Sequence, residues 1–117
     1  MYATGDDYIH AVELPAPGRW LFTAGTMGLD AHGVAPPTLA EQLELVWANL
    51  RAILAAHAMT VDDVVRVTSY LRDAAYADEN AAARVVALGG RAVPTTAIVV
   101  GTLAEDWLVE IEVVAAA

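Results

Sequence analysis

Alternation of apolar and polar positions divides the chain into seven candidate elements, in the order strand, strand, helix, strand, helix, strand, strand. Residues 8–14 (YIHAVEL) and 20–26 (WLFTAGT) read as strands of a hairpin, because Pro15, Pro17 and Gly18 between them supply a turn and cannot extend a central strand. Residues 27–37 are a loop punctuated by Gly and Pro, with a turn at residues 30–33. Thr38 and Glu41 then form a capping box, which starts a helix running to about Ala58. Its apolar stripe is Leu39, Leu43, Val46, Leu50, Ile53, Leu54 and His57, at spacings of three and four, while Glu41, Glu44 and Arg51 stay in water.

Residues 64–71 (VVRVTSYL) are a third strand, introduced by residues 60–63. Asp73 caps a second helix over residues 74–88, which Gly89 and Gly90 stop. The stretch from Val93 to the end reads as two more strands joined by a turn at residues 103–106. In the last strand Trp107, Val109, Ile111 and Val113 take one face, and Leu108, Glu110, Glu112 and Val114 the other. The strand before it is apolar on both faces. Two helices cover only one side of such a sheet, so the other needs a second copy of the chain. The expected fold is an α+β sandwich with an oligomer interface on its helix-free face.

Composition narrows the chemistry more than the architecture. At 117 residues the chain suits one domain, spanning 1–117, and 57% hydrophobic against 18% charged residues makes it globular. Six arginines and no lysine against fifteen acids give a net charge of −9, which argues against nucleic acid and anionic membrane as partners. No apolar window approaches a membrane span and the N-terminus lacks a leader pattern, so a cytoplasmic protein is expected. The absence of Cys and Lys removes thiolate nucleophiles and Schiff bases, and the one serine, Ser69, lies outside any nucleophile-elbow pattern. His10, His32 and His57 lack metal-ligand spacing, so no metal is expected.

Several pieces in order resemble the Rid family, also called YjgF or endoribonuclease L-PSP. They are YIHAV from Tyr8, LFTAG from Leu21, Gln42, the pairs Asn49-Leu50 and Ile53-Leu54, VDDVVRVT from Val61, LRD from Leu71, Asn80, PTT from Pro94 and VEIE from Val109. The resemblance implies a chorismate-mutase-like sandwich, a homotrimer with its sheets packed inside, and clefts between subunits. It also implies hydrolysis of imines or enamines derived from amino acids, with no cofactor, metal or covalent intermediate.

Carried over by position, the cleft would hold Glu110 and Tyr8 as catalytic groups, with Thr95, Thr96, Ala24, Gly25, Ala97, Asn80 and His10 binding substrate. Glu110 would orient water and move a proton. Deaminating members carry an arginine in a Pro-Ala-Arg-Ser/Thr context, and that position is assigned to Thr95, whose hydroxyl cannot replace a bidentate fork. Ala24 and Ala97 replace more polar family residues, so the pocket favours a less polar, specialised substrate. Glu112 reads as structural, Arg91 as solvated rather than a displaced substitute for that arginine, and Arg19, Arg66, Arg72 and Arg84 as surface or inter-subunit charges. A non-catalytic trimer binding a small molecule is the alternative, and an RNase a poorer third.

Overall fold

The computed structural model describes residues 1–117. Its elements are β1 (Trp20–Phe22), β2 (Thr26–Met27), α1 (Leu39–Ala56), β3 (Val64–Leu71), α2 (Ala77–Ala87), β4 (Thr95–Val99) and β5 (Val109–Ala116). The sheet runs β1-β5-β3-β4, with β2 also on β5. β5 is antiparallel to β1, β2 and β3, whereas β3 and β4 are parallel. The mixed sheet with two helices is the expected sandwich, and its shortest extent of 22 Å is the depth of two layers.

Capping and burial position α1. Thr38 Oγ1 accepts the Glu41 N–H at 3.2 Å and donates to Glu41 Oε1 at 2.8 Å, so the glutamate closes on the hydroxyl and not on the Thr38 backbone. The buried stripe is Leu39, Leu43, Val46, Leu50 and Leu54, widened by Gln42 and Trp47. His57 is exposed at the end of α1, with Nδ1 2.9 Å from the Ile53 carbonyl oxygen, and does not belong to the stripe. The stripe packs on Val64, Val67, Leu71, Val109, Ile111, Val113 and Ala115 from β3 and β5.

Buried amides fasten the loops to this layer. Gln42 donates to the carbonyls of Pro36 and Asp106 and accepts the Leu108 N–H, so one side chain ties two loops to α1. Asn49 donates to the carbonyls of Met27 and Leu29. Asp73 accepts the Ala75 N–H as expected, but the first turn of the second helix, Ala74–Tyr76, is a 3₁₀ turn. Gly89 and Gly90, at φ +63° and +82°, then end that helix in backbone few other residues adopt.

The expected N-terminal hairpin does not form. Residues 8–14 make one bridge, Ile9 to Pro94, on the far side of the sheet from β1. Ile9 N–H finds the Val93 carbonyl at 3.4 Å, which carries the segment to the β4 edge, where it cannot pair with β1. The second expected strand breaks at residues 23–25, because the Thr23 side chain takes the Val113 N–H at 3.0 Å and kinks the chain between β1 and β2. The turn at residues 103–106 is present, but β3 lies between the two strands it connects.

Candidate functional site

Alternation along β5 buries Val109, Ile111, Val113 and Ala115 beneath the helices and leaves Glu110, Glu112 and Val114 half-buried on the opposite, open face. Register adds the neighbours. Glu110 stands opposite Tyr70 on β3 and Met27 on β2, Glu112 opposite Thr68, and Val114 opposite Arg66 and Phe22. One strand further, Thr96 and Ile98 pair with Thr68 and Tyr70. Apolar groups border these polar ones: Trp20 and Phe22 stack with ring centroids 6.3 Å apart and are 50% and 71% exposed, and Ile98 is 46% exposed.

Two contacts fix the carboxylates. Tyr70 donates its hydroxyl to Glu112 Oε1 at 2.6 Å. That bond to Glu112 raises the Tyr70 pKa above its ordinary value; burial and the charges of Glu112 and Glu110 add to the rise, and Arg66 opposes it. Glu110 instead lies against the kink between β1 and β2, so close to Gly25 that a Cβ there would sit 2.9 Å from the carboxyl carbon. A side chain at Gly25 would displace this carboxylate from its present position, and the Thr23 bonds to β5 hold the kink in place.

The predicted site residues divide into three groups. Glu110, Gly25 and Thr96 share the open face, with Ala24 exposed in the adjoining kink. Thr95 and Ala97 pair with Val67 and Ser69 and therefore take the helix side, and Thr95 Oγ1 donates to the Val93 carbonyl at 3.0 Å. This corrects the assignment of the arginine position. Counted from Pro94, the third residue of Pro-Ala-Arg falls on Thr96, and Thr96 is the threonine on the Glu110 face.

Asn80 is buried on α2 in the helix layer, with Oδ1 unpartnered, and does not line the open face. Tyr8 and His10 meet edge-on at 6.3 Å beside the β4 edge, and His10 Nε2 lies 2.6 Å from the Tyr2 carbonyl oxygen. Within one chain they are three strand positions from β5, or about 14 Å at ordinary strand spacing. Arg91 does not stand in for the missing arginine, because its guanidinium donates to the Val61 and Val64 carbonyls.

Tyr70, Thr68, Arg66 and the pairing of Glu112 escaped the sequence reading. Their signal was the period of two in VVRVTSYL, whose polar members line up against the two glutamates once β3 lies beside β5. The face can accept protons, donate hydroxyl hydrogens and hold water between carboxylates, which is general acid–base chemistry. No three His, Asp or Glu side chains converge into a metal-binding cluster, and no helix is long and apolar enough to cross a membrane. A concavity of about 450 Å³ lies between α1 and α2 around Leu43, Trp47 and Ala83, in the helix layer and apart from the Glu110 face.

Comparison with known proteins agrees with this geometry. The endoribonuclease L-PSP family model matches residues 2–117. The RutC family protein PH0854 of Pyrococcus horikoshii is 32% identical over 111 residues, covering 84% of this chain and 79% of that protein. The RutC family protein YjgH of Escherichia coli is 39% identical over 56 residues, an alignment spanning 48% of this chain and 43% of that protein. Among solved structures, the Rid family protein YyfB of Yersinia pestis, described as of unknown function, superposes with a TM-score of 0.86 at 29% identity, covering 96% of this chain and 88% of that one. With its match running from residue 2 to the last, its mixed sheet and its glutamate-bearing β5, the chain belongs to the endoribonuclease L-PSP family, the Rid/YjgF family.

Proposed function

We propose that this protein is a Rid-like enzyme that acts on an imine, an enamine or a similarly polarised small molecule, in a cleft completed by neighbouring copies of a homotrimer. The observation that carries this reading is Glu110. Its carboxylate is half-buried on an open sheet face, packed over Gly25, and without an arginine or lysine ion-pair partner. A carboxylate kept in such a setting suits proton transfer better than stability.

In the reaction, Glu110 takes a proton from water as the water oxygen bonds to the imine carbon. The C=N electron pair moves to nitrogen, which is protonated, and collapse of the tetrahedral adduct expels ammonia and leaves a carbonyl. The steps are addition, elimination and proton transfer at one carbon whose oxidation level does not change, so no redox partner is needed. Tyr8 meets Glu110 only across the interface between copies, because the two are strands apart in one chain. The exposed Trp20, Phe22 and Ile98 supply the apolar contact for that interface.

Thr96, with no arginine of β4 on the Glu110 face, favours a second reading, a trimer that binds a small molecule without turning it over. RNA cleavage, suggested by the family's older name, is opposed by a net charge of −9 and by two glutamates against one arginine on the open face. The deciding experiment generates imines in place with an amino-acid oxidase and follows their loss. Faster loss with the protein present supports the enzyme. Saturable ligand binding with no effect on any imine supports the binding protein and sinks the enzyme.

A further inference from the structure

We propose that Arg66 is the anion-binding residue of the open face, so that the molecule processed there carries a carboxylate or an equally planar anionic group. The proposal rests on the reading of that face as the functional site. It revises the less polar substrate expected from Ala24, Ala97 and the missing β4 arginine.

Val64 pairs with Ala115 and Arg66 with Val114, so β3 carries a bulge between them. Uninterrupted alternation would put Val64 and Arg66 on one face. The bulge instead keeps Val64 fully buried with the core and turns Arg66 to the face of Glu112 and Glu110. Val64 and Val67 are both buried although three residues apart, as the switch requires.

Arg66 is also largely uncommitted, whereas four of the other five arginines are tied to backbone or to a carboxylate. Arg19 donates to the carbonyls of His57 and Ala58, Arg72 to Thr102 and Ala104, Arg84 to Asp7, and Arg91 to Val61 and Val64. Arg51, the fifth, is exposed on α1 without a partner, in the helix layer and away from the open face. Arg66 makes one hydrogen bond, from Nη2 to the neutral hydroxyl of Thr96 at 3.1 Å, and the chain's one ion pair is Arg84 with Asp7. Glu112, which lines the same concavity as Arg66, forms no ion pair with it and accepts the Tyr70 hydroxyl. A guanidinium has five donors, and one used on a threonine leaves the fork for a bidentate acceptor.

The surroundings fit such a guest. Arg66, Thr68, Glu112, Phe22 and Val114 line a concavity of about 180 Å³, a space for part of a small molecule and not for a polymer. Thr96 holds the guanidinium at the level where Thr96, Thr68 and Glu112 stand in register. Glu110 is two residues further along β5, about 7 Å at strand rise. A small molecule with its anionic end at Arg66 can turn its reactive carbon toward the Glu110 end of the face. In a protein of net charge −9, a local cation is what lets an anionic substrate approach.

The test uses pyruvate, a stable carbonyl counterpart of a 2-imino acid, with 2-butanone as the uncharged control. Binding to the full-length protein is followed by amide chemical shifts, in wild type, Arg66→Lys and Arg66→Met. The expected result is that wild type binds pyruvate, Arg66→Met loses roughly tenfold or more in affinity, and Arg66→Lys falls between, with 2-butanone unaffected. Failure of wild type to bind pyruvate, or equal binding by a folded Arg66→Met, overturns the proposal. Because the readout is binding, absence of imine turnover would sink the proposed enzyme while leaving this result to be judged separately.

Discussion

Glu112 and Glu110 are two residues apart on one strand, yet their surroundings give them different work. Glu112 accepts the Tyr70 hydroxyl, and Glu110 rests on the backbone at Gly25. The first contact makes a titration prediction. Because the neutral Tyr70 phenol is favoured in the folded chain, its contribution to stability is present below the ordinary tyrosine value of 10.0 and is lost as pH climbs through the raised one. Replacing Glu112 by Gln removes the carboxylate acceptor and its charge. The Tyr70 pKa should then fall back toward the ordinary value, read by NMR on ring-labelled tyrosine. An unchanged pKa would mean that the 2.6 Å bond does not persist in solution.

Glu110 was legible in the sequence because it interrupts an apolar strand at a position matching a known family. Tyr70 was not, because an aromatic in a strand reads equally well as core. Thr95 and Thr96 were not separable without register: one residue decides the face, and only pairing with Val67 and Thr68 sends Thr95 inward and Thr96 outward.

At the scale of elements, the strong periodic segments stood where expected. α1 and β3 followed from caps and spacing, and β5 from strict alternation. The hairpin failed because YIHAVEL has strand composition without a partner within reach, and a single bridge at Ile9 satisfies it elsewhere. The bulge in β3 was invisible for a related reason: alternation counted from Val64 gives no sign of an extra residue, and only the register shift against β5 exposes it. Gly28 shows how closely α1 sits on β2. A Cβ there would come within 2.8 Å of the Gln42 carbonyl carbon, which is backbone and cannot step aside. Gly28→Ala should therefore cost about 1–3 kcal/mol, as overpacking does. Urea denaturation checks it, and an unchanged midpoint would show that helix and strand separate at little cost.

For the whole molecule, one face of the sheet is covered by helices and the other carries Trp20, Phe22 and Ile98 in water. Burying that face between copies accounts for an apolar sheet side in so acidic a protein, and it would bring Tyr8 of one copy to Glu110 of another. Sedimentation should give a trimer for wild type and smaller species for Phe22→Glu, which sets a charge in the stacked pair. A monomeric wild type, or a Phe22→Glu trimer as stable as the parent, would contradict the arrangement.

The central claim is that Glu110 moves the protons of the reaction, and it is tested most directly by the rate of imine loss with wild type and Glu110→Gln side by side, each confirmed folded and of equal oligomeric state. Glutamine keeps the shape and removes the base, so the account predicts a rate lower by about 100-fold or more. Undiminished turnover by Glu110→Gln would contradict it.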